Sequence, residues 1–266
     1  MSASENPQAD RVLVFHAHPD DEVFTTSVAM LSLAHSGAEV TLLVATGGEL
    51  GEQFDQADLT EEAARTRRAE RLTRSCEQLG VTWDWLTRPG QWIDAAPGNG
   101  RSLAEASTDE IAEAVRSAID RHRPDLVLTV GHSGVTGHPD HRQMHAATVA
   151  ALALPGWVPN RALGAVVRTD DLERVARTVP PRGDAESLEG VPSNDVTATF
   201  ELEPALVARR RRALDCYHDG LGTYSVAELV ASGMGGGALT IRAVFELTDW
   251  HREYYIDIPV DTSTRG

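Results

Sequence analysis

Two short clusters of histidine and aspartate carry most of the chemistry open to this chain: HAHPDDE at His16 to Glu22 and GHPDH at Gly137 to His141. Histidine and carboxylate groups are ordinary ligands of a catalytic divalent ion, three of them leaving one position open to water. His18, Asp21 and His141 make such a set. Pro19 keeps the step from His18 to Asp21 out of a helix, so a tight turn must aim both side chains at one ion. Asp20 is then left beside the ion without binding it. A divalent ion lowers the pKa of water from 15.7 to roughly 7, and a free carboxylate alongside serves as general base. In the second cluster, His138 as an imidazolium would stabilise an oxyanion and protonate a leaving amine. Asp140 would orient a histidine through its second ring N–H. These parts describe metal-assisted hydrolysis of an amide. Zinc is the expected ion, with ferrous iron left open because two histidines and one carboxylate suit both.

Either cluster alone is more often an Asx-turn and a helix cap than a metal site. The pairing favours a metal site, because each cluster follows an apolar run of strand length, 11–15 and 125–130, and precedes a helix-like pattern. In open α/β sheets, sites form at the carboxyl ends of strands. His16, still on the first run, is expected to be structural. Further strand-length runs lie at 39–45, 81–86 and 163–168, with helix-like stretches near 22–36, 60–79 and 107–122. That alternation predicts an α/β fold, Rossmann-like, with a mainly parallel sheet and helices on both faces. Ile111, Ala112, Val115, Ala118 and Ile119 form the stripe of one helix, and Pro124 stops it. After residue 155 proline and glycine punctuate the chain, which predicts loop-rich decoration over about 155–200 and irregular C-terminal additions. A helix near 203–216 and strand-like segments at 196–202 and 239–247 complete the map, with no repeat and no coiled coil.

The 266 residues fit one domain, with its core at 11–150. A formal net charge of −16 argues against nucleic acid or an anionic membrane as partner. All 24 basic residues are arginine, which excludes Schiff-base chemistry and a P-loop lysine. Cys76 and Cys216 lack CxxC spacing and read as free thiols of a reducing compartment. The first ten residues lack a signal-peptide pattern, and no apolar run is long enough to span a bilayer. A cytoplasmic location is the expectation; the oligomeric state is open.

The segments HAHPDDE at 16–22, TGGELGE at 46–52, RTRRAERLTRSCEQLGV at 65–81 and GHPDH at 137–141 resemble the PIG-L/LmbE-like zinc N-deacetylases. The resemblance covers about residues 11–150 and, more weakly, 205–256. It implies a Rossmann-like fold and removal of an acyl group, most simply acetyl, from a small N-acyl aminosugar or glycoconjugate. It also implies His18, Asp21 and His141 as zinc ligands, Asp20 as base and His138 as the electrophilic or acid histidine. Two positions depart from the family. Thr136 stands where the mycothiol-pathway branch carries tyrosine, and His218-Asp219-Gly220 only loosely follows the late histidine motif.

Arg68 and Asp94 are expected at the sugar, and Glu49 in the segment after the second strand as a further substrate contact. That segment lacks GxGxxG, and its acidic Glu49 and Glu52 would repel phosphate, so dinucleotide binding is not expected. Gly233 to Gly237 reads as a flexible loop or a lid. Arg209 to Arg212 reads as a solvated helix face, and Trp83 and Trp85 as core. The alternatives are an amidase acting on a non-sugar or thiol-conjugate amide, and a non-catalytic sugar-binding module; a retained Asp20 speaks against the second.

Overall fold

The computed structural model describes residues 7–51, 59–94, 98–177, 179 and 188–260. Glu52, residues 95–97, Pro180, Pro181 and Gly183, which belong to segments singled out above, lie outside them. The strands are β1 (Arg11–His16), β2 (Glu39–Val44), β3 (Thr82–Trp85), β4 (Leu126–Val130), β5 (Arg161–Val166), β6 (Ala198–Glu201) and β7 (Arg252–Ile258). The helices are α1 (Asp21–Thr25), α2 (Ser27–His35), α3 (Glu61–Leu79), α4 (Thr108–His122), α5 (Pro139–Ala153), α6 (Thr169–Ala176), α7 (Val207–Asp215), α8 (Val226–Ala231) and α9 (Gly236–Leu247).

All seven strands join one sheet in the order β3-β2-β1-β4-β5-β7-β6. The first five run parallel; β7 enters antiparallel beside β5, and β6 antiparallel beside β7. The central strands β1, β2, β4 and β5 are buried on both faces, as βαβ crossovers require. On β1, Val12 and Val14 pack into one core cluster, while Leu13 and Phe15 pack into the other. Because β1 is flanked by β2 and β4, the chain reverses direction between them, and the crevice at their carboxyl ends is the topological switch point. The two His/Asp clusters follow β1 and β4.

The parallel half follows the expected pattern, with one refinement. The stretch at 22–36 is two helices broken at Thr26, whose hydroxyl lies 2.8 Å from His16 Nε2. The C-terminal part departs further. The segment at 239–247 is the body of α9, not a strand: Leu239, Ile241, Ala243, Val244 and Phe245 are all buried, and a short, widely apolar run does not reveal its period. The strand near it is β7, whose Arg252, Glu253 and Asp257 disguise it. The C-terminal additions are therefore regular, and α6 stands where loops were expected.

Arg209 to Arg212 is not simply a solvated face. Arg210 is 1% exposed, donates to Ser27 Oγ and the Trp250 carbonyl, and pairs with Glu253 at 3.1 Å. Burial lowers the Arg210 pKa and raises that of Glu253, in each case against the pull of the partner. Trp83 and Trp85 meet edge-to-face at 5.3 Å on β3 and are half-buried. Cys76 and Cys216 are free thiols. Among the described residues no helix is long and apolar enough to cross a membrane.

Candidate active site

The loop after β1 is held by its own aspartate. Asp21 Oδ2 accepts the backbone N–H groups of Ala17 and His18 at 3.0 and 2.9 Å, curling the chain so that Asp21 and His18 project together. Asp21 Oδ1 lies 2.8 Å from His141 Nε2, and His18 Nδ1 lies 3.2 Å from that same nitrogen. Burial would raise the Asp21 pKa, but His141 and His18 outweigh it and hold the carboxyl well below its usual range.

The second nitrogen of each histidine has another partner. His141 Nδ1 donates to the Gly134 carbonyl at 2.9 Å, and His18 Nε2 to Asp140 at 3.0 Å. With those protons assigned, His141 Nε2 and His18 Nδ1 carry lone pairs aimed at one point beside Asp21. That is the arrangement of metal-ligating imidazoles, whose second ring N–H is fixed by a carbonyl or carboxylate. Gly134 makes it possible: it adopts φ +72°, and a Cβ there would sit 2.9 Å from His141 Cβ. In both imidazoles burial favours the neutral form but the carboxylates prevail, Asp21 foremost, so both pKa values are raised. The donor set suits a divalent cation. Among the described residues, the groupings whose ligand atoms all lie within 4.8 Å of one another are His18 with His138 and His141, and His18 with Asp94 and Asp140. Asp140 lies against His18 Nε2.

Asp20 faces the same space from α1's N-cap position, in the left-handed region at φ 106°. Its carboxylate pairs with Arg68 at 2.8 Å. Burial raises its pKa, Arg68 opposes, and Asp21 adds to the rise. Val135, in the loop after β4, is also left-handed at φ 62°, which is strained for a β-branched residue. Backbone strain of this kind is held only where the surroundings over-determine it, commonly at sites.

His138 lines the same space and caps the helix that follows it. Its Nδ1 accepts the Asp140 backbone N–H at 3.2 Å, capping α5, so the neutral ring carries its proton on Nε2. Protonating Nδ1 would break the cap and place a cation at a helix N-terminus. Burial, then His18 and His141, lower its pKa. Burial and the cap bond thus both favour the uncharged ring of His138.

A cavity of about 230 Å³ joins these groups. Its lining mixes the polar Asp20, Arg68, Asp94 and His138 with the apolar Phe24, Ala238 and Ile241. Asp94 therefore lies at the cavity. Arg68 lies there too, although its guanidinium already engages Asp20 and the Pro19 carbonyl. Glu49 does not line it: 1% exposed, it accepts the backbone N–H groups of Gly47 and Asp94 and so anchors Asp94 from behind. Its acidity suggested a sugar contact, but an acidic residue between glycines is as readily a loop clasp. Gly237 and Ala238, at the start of α9, reach the wall, whereas His218 is exposed and lines no part of it. Phe24, Ala238 and Ile241 were not anticipated: Phe24 lies on α1 just past the HPDDE motif, and the fold alone brings Ala238 and Ile241 of α9 to the site.

Residues 13–152 match the family model for PIG-L, described as GlcNAc-PI de-N-acetylase. Among curated proteins, a 1D-myo-inositol 2-acetamido-2-deoxy-alpha-D-glucopyranoside deacetylase of Kineococcus radiotolerans is 39% identical over 178 residues, or 60% of this chain and 49% of that protein. The match thus spans about half that relative's length. A protein of the same name from Actinosynnema mirum is 31% identical over 243 residues, 82% of this chain and 85% of the relative. The N,N'-diacetylchitobiose deacetylase structure from Pyrococcus horikoshii superposes with a TM-score of 0.59 at 17% identity, covering 96% of this chain and 88% of that one. Family model and relatives agree with the two His/Asp loops that gave the resemblance: the chain belongs to the PIG-L family.

Proposed function

We propose that this chain is a zinc-dependent N-deacetylase acting on a small N-acyl aminosugar or glycoconjugate and releasing acetate and a free amine. The observation that carries the reading is the convergence of His18 Nδ1, His141 Nε2 and Asp21 on one point, with Asp20 beside it. His18, Asp21 and His141 would hold the ion. When bound, zinc supplies Lewis acidity, polarising the amide carbonyl and lowering the pKa of water. Asp20, aligned by Arg68, takes the proton of the attacking water. The His138 Nε2–H donates a hydrogen bond to the carbonyl oxygen as negative charge builds there. When the C–N bond breaks, Asp20 returns its proton to the departing nitrogen, so acid and base are one carboxyl. Asp140 keeps His18 in the required tautomer.

The mixed polar and apolar lining of the cavity fits an acylated sugar. Asp94 and Arg68 face hydroxyls, and the apolar wall faces the acyl methyl. The relatives' named substrate, an N-acetylglucosamine joined to inositol, has this polarity. The chain reads as one domain, and its free thiols fit the cytoplasm.

The test is metal analysis together with kcat/KM on N-acetylglucosaminyl glycosides and on N-acetylated amino acids. The glycosides are expected to react at least tenfold faster, about 1.4 kcal/mol of differential transition-state binding. Equal rates, or a preference for the amino acids, would assign a general amidase. Iron in place of zinc as the active metal would change the cofactor alone.

A further inference from the structure

Glu22 ends the HPDDE motif yet takes no part in the chemistry above. It is 0% exposed and sits one helical residue beyond Asp21. Its Oε2 accepts the backbone N–H of Asp20 at 3.0 Å. Its Oε1 accepts two hydroxyls, Ser75 Oγ of α3 at 2.6 Å and Tyr217 of the turn after α7 at 2.8 Å. A plain helix cap has no need of such anchors; an exposed carboxylate reaching back to the N-cap N–H would serve.

The need arises at Asp20. A non-glycine residue at φ 106° adopts that conformation only under constraint. Its carbonyl is engaged by the N–H groups of Val23 and Phe24, and its side chain by Arg68. Glu22 secures the remaining group, the amide. Arg68 and Ser75 are seven residues apart on α3, two turns along one face with buried Leu72 between them. One helix face therefore grips the β1 loop twice, at the Asp20 carboxylate and through Glu22 at the Asp20 amide. Tyr217 ties the same carboxylate to the C-terminal part of the chain. Resting on Asp20 being the base of the proposed deacetylase, we infer that Glu22 is a positioning residue that fixes the backbone of Asp20, with Ser75 and Tyr217 holding Glu22 in place.

Misplacement of a reacting group by about 1 Å costs on the order of 10²-fold in rate. Glu22→Ala is therefore expected to lower kcat by about 30-fold or more, with KM within about twofold and bound zinc per chain unchanged. Glu22→Gln keeps an oxygen for the Asp20 amide, and its NH₂ can donate to hydroxyls that rotate to accept. It is expected to restore kcat to within about fivefold of the parent. Ser75→Ala with Tyr217→Phe leaves Glu22 unanchored and should cost about three- to tenfold in kcat. Amide exchange over residues 17–24 should rise about tenfold in Glu22→Ala while α4 and β4 stay protected.

Parental kcat in Glu22→Ala would overturn the inference. So would equal losses in the Ala and Gln variants, or a kcat loss that tracks lost zinc. Should Glu22→Ala fail to fold, the Ser75/Tyr217 double variant decides: unchanged kcat and unchanged exchange at 17–24 reject the role. Exchange needs no substrate. If the parent hydrolyses nothing in the panel, the deacetylase reading falls, and exchange at 17–24 alone still supports or rejects the anchoring of Asp20.

Discussion

His18, Asp21 and His141 at the parallel end of the sheet, and Arg210 and Glu253 at the antiparallel end, are all buried polar groups, yet their surroundings differ. Glu253 meets donors on all sides: the N–H groups of Val28 and Ala29, the hydroxyls of Ser27 and Tyr255, and the Arg210 guanidinium. Nothing remains for a ligand. At the other end, His141 Nε2 and His18 Nδ1 keep their lone pairs turned toward each other and toward a cavity. Burial and charge do not separate a scaffold from a site. Whether the lone pairs converge on a space or on protein donors does, because buried polar groups otherwise find partners.

The largest effect expected from this contrast is on stability. Arg210→Met should destabilise the fold by about 3–5 kcal/mol, the usual cost of leaving one member of a buried ion pair alone. Replacing both members by apolar residues often recovers such a loss. Here recovery should be incomplete, since Glu253 also accepts the first-turn N–H groups of α2, and those would be orphaned. Denaturant unfolding of the single and of Arg210→Met with Glu253→Leu measures both. A double variant as stable as the parent would make Glu253 a partner of Arg210 only.

Next in size is a change at the other end that should spare stability. Asp20→Asn removes the base and retains its shape, so kcat should fall by about 10²-fold or more, about 2.7 kcal/mol, with metal content and melting temperature near the parent's. Joint loss of metal and activity would place Asp20 among the ligands. The two variants then dissociate: one end governs folding, the other turnover.

The parallel half was legible because each of its elements announces itself locally. Apolar runs such as Val12 to Phe15 and Leu126 to Val130 are buried on both faces, and the His/Asp clusters sit at their ends. The C-terminal part was less so because its determinants are tertiary. Arg242 lies in the middle of α9, fully buried, donating to the Leu221 and Tyr224 carbonyls and stacked 4.1 Å from the Trp250 ring. In sequence it reads as a surface charge. Glu49 failed in the opposite direction, being an acidic loop residue that faces its own backbone. The capping role of His138 was hidden too, since the bond forms only when α5 begins at Pro139.

The smallest expected effect sharpens the comparison most, because it assigns the C-terminal part a share in the site. Ala238 is exposed, lies in the first turn of α9 and is one of the apolar residues lining the cavity. A glutamate there favours the helix, since a carboxylate near a helix N-terminus is stabilised by about 0.3–1 kcal/mol. The same carboxylate would stand on the wall proposed for the acyl methyl, where it demands water that the bound acyl group displaces. Ala238→Glu should therefore leave the melting temperature equal or slightly higher and kcat near the parent's, while KM rises by about five- to tenfold, roughly 1 kcal/mol of lost ground-state and transition-state binding alike. Steady-state kinetics on the preferred glycoside, beside a melting curve, read both quantities. An unchanged KM would remove α9 from the acyl wall and leave substrate binding to the loops of the parallel half. A fall in kcat without change in KM would instead mean that this wall acts only on the transition state.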